Sequence, residues 1–236
     1  MLDSWADPRR FVPTPVERRT TSDDVFDQLH ADIVSLKLLP GARLSEVDVA
    51  RQFDISRQPV REAFIRLHDL DLLRVQPQRA TQVRRISEQA LLNARFIRTA
   101  VEVEVLRVAC DRDTRSTHKA FEKNLEQQRA AIESSRVARF HALDYAFHQL
   151  ICKAADLEFA YETISSNKSQ LDRLCFLSLT ERAEMEQIHA DHESLFHCIR
   201  EGDAVQAQRV IRRHLSRVIN LLDAVRSSHP DYFAEE

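Results

Sequence analysis

The sequence predicts a mainly α-helical protein, in which an N-terminal winged helix-turn-helix precedes a C-terminal antiparallel bundle of about six helices. Three observations support this fold class. The 236 residues include only 2 Gly, whereas hairpin-rich sandwiches and barrels need residues with positive φ at frequent turns. Six of the 7 Pro lie at or before Pro77, which leaves a long C-terminal segment free to form helices. Basic residues outnumber acidic residues by 4 between positions 56 and 86, and acidic residues prevail by 4 after position 86.

The scarcity of glycine also excludes several enzyme classes. Walker loops, dinucleotide-binding turns and kinase glycine loops need closely spaced Gly residues, and Gly41 and Gly202 lie far apart. No apolar run is long enough to span a membrane, and the N-terminus lacks the pattern of a secretory signal. The four Cys show no CxxC spacing, which is typical of reduced, buried thiols. We therefore expect a cytoplasmic protein without a membrane partner.

Proline and charge patterns divide the chain into a flexible arm (1–19), a winged helix-turn-helix domain (20–86), a helical domain (87–228) and a tail (229–236). In the second segment, an N-cap cluster at Thr21 starts a first helix, and Ser45 caps a second. Ser56 caps a third helix with Pro59 in its first turn, where a missing N–H is tolerated. Alternating residues over 72–75 and 81–86 then predict two short strands that flank a basic tip.

The third helix has the composition of a helix that reads DNA. Arg57, Gln58 and Arg61 lie in its first turns, where arginine can bind guanine edges or phosphates and glutamine can read adenine. A basic helix face alone is usually only solvated. The turn spacing and the basic wing together favour DNA binding.

Two stretches resemble the GntR superfamily of bacterial transcription regulators. They are Leu39-Pro40-Gly41-Ala42-Arg43-Leu44-Ser45-Glu46 and the run that begins Ile55-Ser56-Arg57-Gln58-Pro59-Val60-Arg61. The resemblance covers the whole N-terminal domain. It implies that Arg43, Arg57, Gln58 and Arg61 contact operator DNA, and that the wing tip with Arg79 enters the minor groove. The family usually has Gly at the wing turn, where this chain has Ala80.

Six helices are predicted in the C-terminal domain, at about residues 88–111, 116–134, 136–155, 157–179, 181–201 and 203–227. Four polar residues fall within or beside their apolar stripes. Asp144 and His148 lie four residues apart on one face, and His192 and His214 lie on the buried faces of the fifth and sixth helices. Because unpaired burial of such groups is costly, we expect them to share a partner.

Three imidazoles and one carboxylate are suitable ligands for a divalent transition metal. Zn²⁺ is the first choice, and Ni²⁺ or Mn²⁺ would fit if water completed an octahedron. A metal-free polar network of the same four residues is the alternative. Arg98, on another inward stripe, either clamps the carboxylate of an effector or pairs with Glu102 within its helix. Asn167 is a second candidate for effector binding.

The helical domain resembles the ligand-binding domain of the FadR-like branch of the same superfamily. The resemblance rests on four stretches: Leu143-Asp144-Tyr145-Ala146-Phe147-His148, Asp191-His192-Glu193, Ile199-Arg200-Glu201-Gly202-Asp203 and Arg213-His214-Leu215. It implies a metal held by Asp144, His148, His192 and His214. It further implies a homodimer and a small carboxylate effector that binds at or beside the metal.

Together these features predict a transcription regulator rather than an enzyme. A sugar acid or hydroxy acid would change helix packing and the spacing of two DNA-binding domains, and the homodimer would bind a palindromic operator. The rival hypothesis is a metallohydrolase fused to a DNA-binding domain. It requires an open metal position and a nearby base, but the sequence contains no HExxH motif.

Overall fold

The computed structural model describes residues 19–75, 80–112, 114–178 and 182–234. Its helices are α1 (Thr21–Val34), α2 (Glu46–Gln52), α3 (Arg57–Asp69), α4 (Glu88–Cys110), α5 (Arg115–Glu133), α6 (Val137–Ala154), α7 (Ala160–Ser178), α8 (Arg182–Glu201), α9 (Ala204–Asn220) and α10 (Leu222–Ser228). The strands are β1 (Arg43–Leu44), β2 (Leu73–Arg74) and β3 (Thr81–Val83), and a 3-10 helix (Pro230–Tyr232) follows α10. This architecture confirms the predicted fold class.

The N-terminal domain packs its three helices against a small antiparallel sheet of order β1-β3-β2. Its core is a cluster of its own, in which Val25, Ile33, Phe64, Leu67 and Val83 are almost completely buried. The buried residues of α1 and α3 recur at the helical spacing that the sequence predicts. The opposite, polar face of α3 is therefore left on the surface.

The starts of these helices follow from their capping residues. Thr20 and Asp23 form a capping box at the start of α1, one residue ahead of the predicted cluster, and Ser45 accepts a capping hydrogen bond at the start of α2. Pro59 lies in the first turn of α3, as predicted. The predicted cap at Ser56 is wrong in one respect, because this side chain makes no capping hydrogen bond.

The sheet differs from the two-stranded wing that was predicted. Both wing strands are shorter than the predicted segments, and an additional strand, β1, pairs with β3 so that Arg43 lies opposite Gln82. A strand of two residues has no alternating pattern from which it could be predicted. The wing-tip residues 76–79, which include Arg79, and residues 1–18 of the predicted arm lie outside the described residues.

The C-terminal domain contains the six long helices that were predicted, α4 to α9. Helix α4 packs mainly on α7 and α9, while α5 packs on α6 and α8. The prediction of one helix over 203–227 is wrong, because the helix is interrupted at Leu221, between α9 and α10. Leu222 and Val225 pack in a cluster at the junction of the two domains, and this packing overrides the continuous helical pattern. No helix in the described part of the chain is long and apolar enough to cross a membrane.

The segment after α10, predicted as a tail, is anchored to the link between the domains. Ile86 N donates a hydrogen bond to Tyr232 O at 2.8 Å, and Ala234 N donates to Ile86 O at 2.9 Å. Phe233 is buried in the same cluster as Ile86 and Leu91. The tail therefore holds the linker in place between the winged helix-turn-helix and the bundle.

Helix α7 joins the bundle to the N-terminal domain through side-chain hydrogen bonds. The bonds link Ser169 Oγ with His30 Nε2, the Gln170 amide with Leu70 O, and the Arg173 guanidinium with Arg84 O. Arg173 is almost fully buried, and burial lowers its pKa to about 10. The position of α7 and that of the N-terminal domain are thus coupled.

We expect Phe233→Ala to lower the free energy of unfolding by about 3 kcal/mol, because it removes a buried ring from the junction. Urea denaturation followed by circular dichroism measures this loss. Asp231→Ala, which alters an exposed neighbour, is the control and should change stability by less than about 0.5 kcal/mol. Equal effects of the two substitutions would show that the tail contributes little to the fold.

Candidate metal centre and DNA interface

The four residues predicted as metal ligands meet inside the C-terminal bundle. Asp144 and His148 come from α6, His192 from α8 and His214 from α9, and one ligand atom of each lies within 4.8 Å of all the others. Asp144 Oδ1 lies 3.3 Å from His192 Nε2 and 3.8 Å from His148 Nε2. His192 and His148 are almost completely buried. The convergence expected from the helical stripes is present in the fold.

A chain of hydrogen bonds determines which nitrogen of His192 carries the proton. Asn124 Nδ2 donates to Leu143 O at 3.0 Å, and Gln128 Nε2 donates to Asn124 Oδ1 at 2.6 Å. The amide oxygen of Gln128 therefore faces His192 Nδ1, at 2.9 Å. Because an amide oxygen only accepts, Nδ1 is the donor, and Nε2 of the neutral ring has a lone pair directed towards the site.

The lone pair of His192 Nε2 and the carboxylate oxygen of Asp144 consequently face each other in a buried site. Within the described residues, His192 Nε2 makes no hydrogen bond. Burial lowers the pKa of His192 to about 3, so the ring is neutral at pH 7 and no proton lies between the two acceptors. Burial also lowers the pKa of His214. Two facing acceptors beside two further imidazoles are suited to a bound cation.

The other two imidazoles have a carboxylate, rather than an amide, on their outer side. His148 Nδ1 lies 2.6 Å from Glu102 Oε2, and His214 Nδ1 lies 3.6 Å from Asp191 Oδ2. Burial opposes ionisation of Glu102, but Arg98 and His148 lower its pKa to about 2. Carboxylates and amides in such outer positions orient metal-binding imidazoles and make them better ligands.

The structure adds a buried cation, Lys168, that the sequence analysis did not identify. Its ammonium contacts Asp144 Oδ2 at 2.8 Å and also Asp172. Burial opposes ionisation of Asp144, yet Lys168 holds the pKa of that carboxyl well below its usual range. Lys168 and Asp172 lie four residues apart on α7, on either side of the buried Leu171. This spacing places both side chains on one face of the helix, and it was the sequence signal that could have identified the pair.

A cavity of about 60 Å³ is lined by two of the four residues, Asp144 and His214. Arg98 and Lys168 also lie in its wall. Arg98 also donates from Nε to Glu102 Oε1 at 2.8 Å. The sequence analysis treated pairing with Glu102 and a position beside the effector site as alternatives, and the structure shows both. Asn167 is not brought to the cavity, because its amide donates back to the carbonyl of Thr163 within α7.

The N-terminal face of α3 presents the predicted DNA-binding residues to solvent. Arg57 and Arg61 have side chains that are 61% and 62% exposed, and Arg57 Nη2 forms an ion pair of 2.7 Å with Glu46. Gln58 is exposed and donates to Glu62 at 3.0 Å. Arg43 is exposed on β1. Four of the five predicted residues thus lie on the surface, and Arg79 lies outside the described residues.

A winged helix-turn-helix joined to a helical domain with an enclosed polar site defines a ligand-responsive class of transcription regulators. Comparison with known families agrees with this assignment. Residues 21–83 match the bacterial regulatory proteins of the gntR family, and residues 94–217 match the FCD domain. The chain belongs to the GntR family, in the FadR-like branch with an FCD domain, and is a DNA-binding transcription regulator.

Relatives and solved structures support the same assignment. The chain is 36% identical to the HTH-type transcriptional repressor RspR of Escherichia coli K12, over 91% of this chain and 94% of the relative. It is 30% identical to an HTH-type regulator of Streptomyces ambofaciens, over 92% of each chain. The structure of E. coli McbR/YncC is similar in fold, with a TM-score of 0.77 at 20% identity, covering 88% of this chain and 99% of that one. These relatives are regulators, and the metallohydrolase hypothesis gains no support.

We expect Lys168→Met to lower the free energy of unfolding by about 3–5 kcal/mol, because it leaves the carboxylates of Asp144 and Asp172 buried without their cation. Chemical denaturation in a chelator-containing buffer measures the loss. Lys153→Met on the exposed face of α6 is the matched control and should change stability by less than about 0.5 kcal/mol. A loss below about 1 kcal/mol for Lys168→Met would contradict the role given to this ion pair.

Proposed function

We propose that this regulator binds a divalent transition metal between Asp144, His148, His192 and His214, and that a small carboxylate bound there controls its affinity for operator DNA. The observation that carries the proposal is the pair of facing acceptors, His192 Nε2 and Asp144 Oδ1, 3.3 Å apart in a buried site. A metal-free network would leave these lone pairs opposed. Zn²⁺ is the preferred ion for three imidazoles and a carboxylate, with Ni²⁺ or Mn²⁺ as alternatives.

When bound, such a metal would offer an open coordination position to the carboxylate of an effector. Arg98 is positioned to assist, because it lies in the cavity wall and its Nη2 reaches to within 3.4 Å of His148 Nε2. Its ion pair with Glu102 holds the guanidinium in place. An acid such as a sugar acid or a hydroxy acid would thus meet both a metal and a fixed cation.

Helix α7 supports the link between effector binding and DNA binding. Lys168 contacts the site through Asp144, and the three residues Ser169, Gln170 and Arg173 bind the N-terminal domain. A ligand that shifts the Asp144 carboxylate therefore acts on a helix that also positions α3. We propose that this contact changes the placement of the DNA-binding domain.

The DNA-binding surface is proposed to comprise Arg43, Arg57, Gln58 and Arg61, together with Arg79 at the wing tip. Glu46 supports this role, because its carboxylate holds Arg57 and lies 3.6 Å from Arg61 Nε, so that both side chains are ordered on the face of α3. Ordered guanidinium groups lose less entropy when they bind phosphate or guanine.

The protein is proposed to act as a homodimer on palindromic operator DNA in the cytoplasm. Two DNA-binding domains related by a two-fold axis read two half-sites. The exposed apolar face of α4 supports dimerisation, since Phe96 is 74% exposed and the adjacent Ile97 is 38% exposed. Exposed aromatic residues of this kind are typical of surfaces that associate.

For DNA binding, we expect Arg57→Ala to weaken binding to a palindrome selected from random duplexes and to reduce the slope of log K against log salt by about 1, because one phosphate or base contact is lost. Fluorescence anisotropy across a salt series measures both. Arg200→Ala, on the exposed surface of α8, is the control. Unchanged affinity and slope for Arg57→Ala would exclude α3 from the interface. The mass of the protein–DNA complex gives the number of chains per duplex and so tests the proposed homodimer.

For the metal, we expect about one equivalent of Zn²⁺ per chain after loading and dialysis, measured by elemental analysis. His192→Ala should abolish retention, while His189→Ala, one turn earlier on α8 and bonded to Leu125 O, should retain the ion. Gln128→Leu should weaken Zn²⁺ binding by about 10- to 100-fold, because it removes the acceptor that orients His192. Less than about a tenth of an equivalent in the wild type would favour the metal-free network.

A further inference from the structure

The C-terminal end of α3 receives a hydrogen bond from the helical domain. Two carbonyls of its last turn are bonded by the residues that follow, through Asp71 N and Leu72 N. The carbonyl of the capping residue, Leu70, is bonded instead by the side-chain amide of Gln170, one hundred residues later on α7. The helix that carries Arg57 is therefore tied at its far end to the domain that contains the candidate metal centre.

A buried arginine fixes the orientation of the Gln170 amide. Arg173 Nη2 donates to Gln170 Oε1 at 3.0 Å. Because a guanidinium only donates, the amide oxygen faces Arg173, and the amide NH₂ group faces Leu70 O. Both side chains are buried, so solvent does not compete for these bonds. Gln170 is held in the one orientation that can donate to α3.

Arg173 itself is a buried cation that binds neutral oxygens. Its donors bond Gln170 Oε1 and Arg84 O, and its Nε makes no hydrogen bond within the described residues. Burial lowers its pKa, and Asp71, which follows α3, opposes this effect. The C-terminal end of a helix also carries partial negative charge. The end of α3 and Asp71 therefore supply the negative potential that stabilises the guanidinium, and their separation from α7 would leave a buried charge uncompensated.

The same stretch of α7 contacts the candidate metal centre. Lys168, two residues before Gln170, lies 2.8 Å from Asp144 Oδ2, and Oδ1 of the same carboxylate faces His192. The five residues from Lys168 to Arg173 span about 7.5 Å of helix. A cation that draws the Asp144 carboxylate towards His192 would change the Lys168 contact and so displace the backbone that carries Gln170 and Arg173.

We propose that Gln170 and Arg173 are positioning residues for α3, through which occupancy of the metal site changes the affinity for operator DNA. This inference rests on the proposed metal site and deepens the proposed control by naming the contact that carries it. The neighbouring bond from Ser169 to His30 reaches α1 rather than α3. It joins the same two domains without contacting the DNA-reading helix, and so is not part of the proposed route.

Two substitutions on adjacent residues separate positioning from simple support of the fold. Gln170→Glu keeps the size of the side chain and gives Arg173 a carboxylate partner, but it cannot donate to Leu70 O. Its urea midpoint should be equal to or above that of the wild type, although the tie to α3 is lost. Ser169→Ala removes the bond to His30 and leaves Gln170 in place, so it is the matched control. Gln170→Met, which removes both bonds of the amide, is the second variant should Gln170→Glu fail to fold.

Hydrogen exchange of the full chain, followed by mass spectrometry with and without Zn²⁺, tests the route. In the wild type, Zn²⁺ should slow exchange in α6 and α8 and change the exchange rate of the last turn of α3 by about fivefold, the value of one hydrogen bond. Gln170→Glu and Gln170→Met should keep the response in α6 and α8 and lose that in α3. Ser169→Ala should keep both responses.

Operator affinity gives a second readout, measured by fluorescence anisotropy on the selected palindrome. Zn²⁺ should change the affinity of the wild type and of Ser169→Ala by at least about fivefold. The change should be less than about twofold in Gln170→Glu, which retains Zn²⁺.

The outcomes separate this inference from the proposed function. If the wild type retains Zn²⁺ but neither exchange in α3 nor operator affinity responds, the inference is wrong and the proposed metal site stands. A full response in Gln170→Glu and Gln170→Met, or an equal loss of response in Ser169→Ala, would also overturn the role of Gln170. If the wild type does not retain Zn²⁺, the inference and the proposed metal site are both wrong.

Discussion

The site in the bundle depends on one constraint, the fixed proton of His192. The hydrogen bonds that run from Leu143 O through Asn124 and Gln128 place this proton on Nδ1. Nε2 is then an acceptor that faces the carboxylate of Asp144 across 3.3 Å. Lys168 neutralises the other oxygen of Asp144, Oδ2, and so leaves Oδ1 for a ligand. Two opposed acceptors in a buried site are costly without a partner, which is the basis of the proposed cation.

The same constraint connects the site to the rest of the molecule. Lys168, which holds Asp144, lies on α7, and the next turn of that helix binds the N-terminal domain through Arg173. The second connection is the tail, where Phe233 and Ile86 pack with Val218 and Leu222 beside the break between α9 and α10. Val218 also lies in the cavity wall. Arg84 and Ile86, which lie in the segment between the two domains, therefore both contact helices that surround the site.

Much of the fold and of the site could be predicted from the sequence, because the spacing of apolar residues along each helix shows which face is buried. Asp144, His192 and His214 lie on apolar stripes, and stripes of neighbouring helices must converge in a bundle. The structural roles of Asn124 and Gln128 were not predicted, since an amide on a helix face gives no sign of what it will contact. Lys168 was missed for a related reason, because an isolated lysine is usually at the surface.

The errors at the domain junction have a different cause. The break at Leu221 and the anchoring of Phe233 both depend on contacts between segments that are distant in sequence. Local propensity cannot reveal such contacts, and it favours one continuous helix through this region.

X-ray absorption spectroscopy of the Zn²⁺-loaded protein tests the central claim most directly. The account predicts a first shell of nitrogen and oxygen atoms at about 2.0–2.1 Å, with the outer-shell scattering of three imidazoles and no sulfur. Sulfur is the contrasting type of ligand, because the chain carries four free cysteines. A scattering shell of sulfur at about 2.3 Å, or the same spectrum from His192→Ala, would contradict the assignment of the metal to Asp144, His148, His192 and His214.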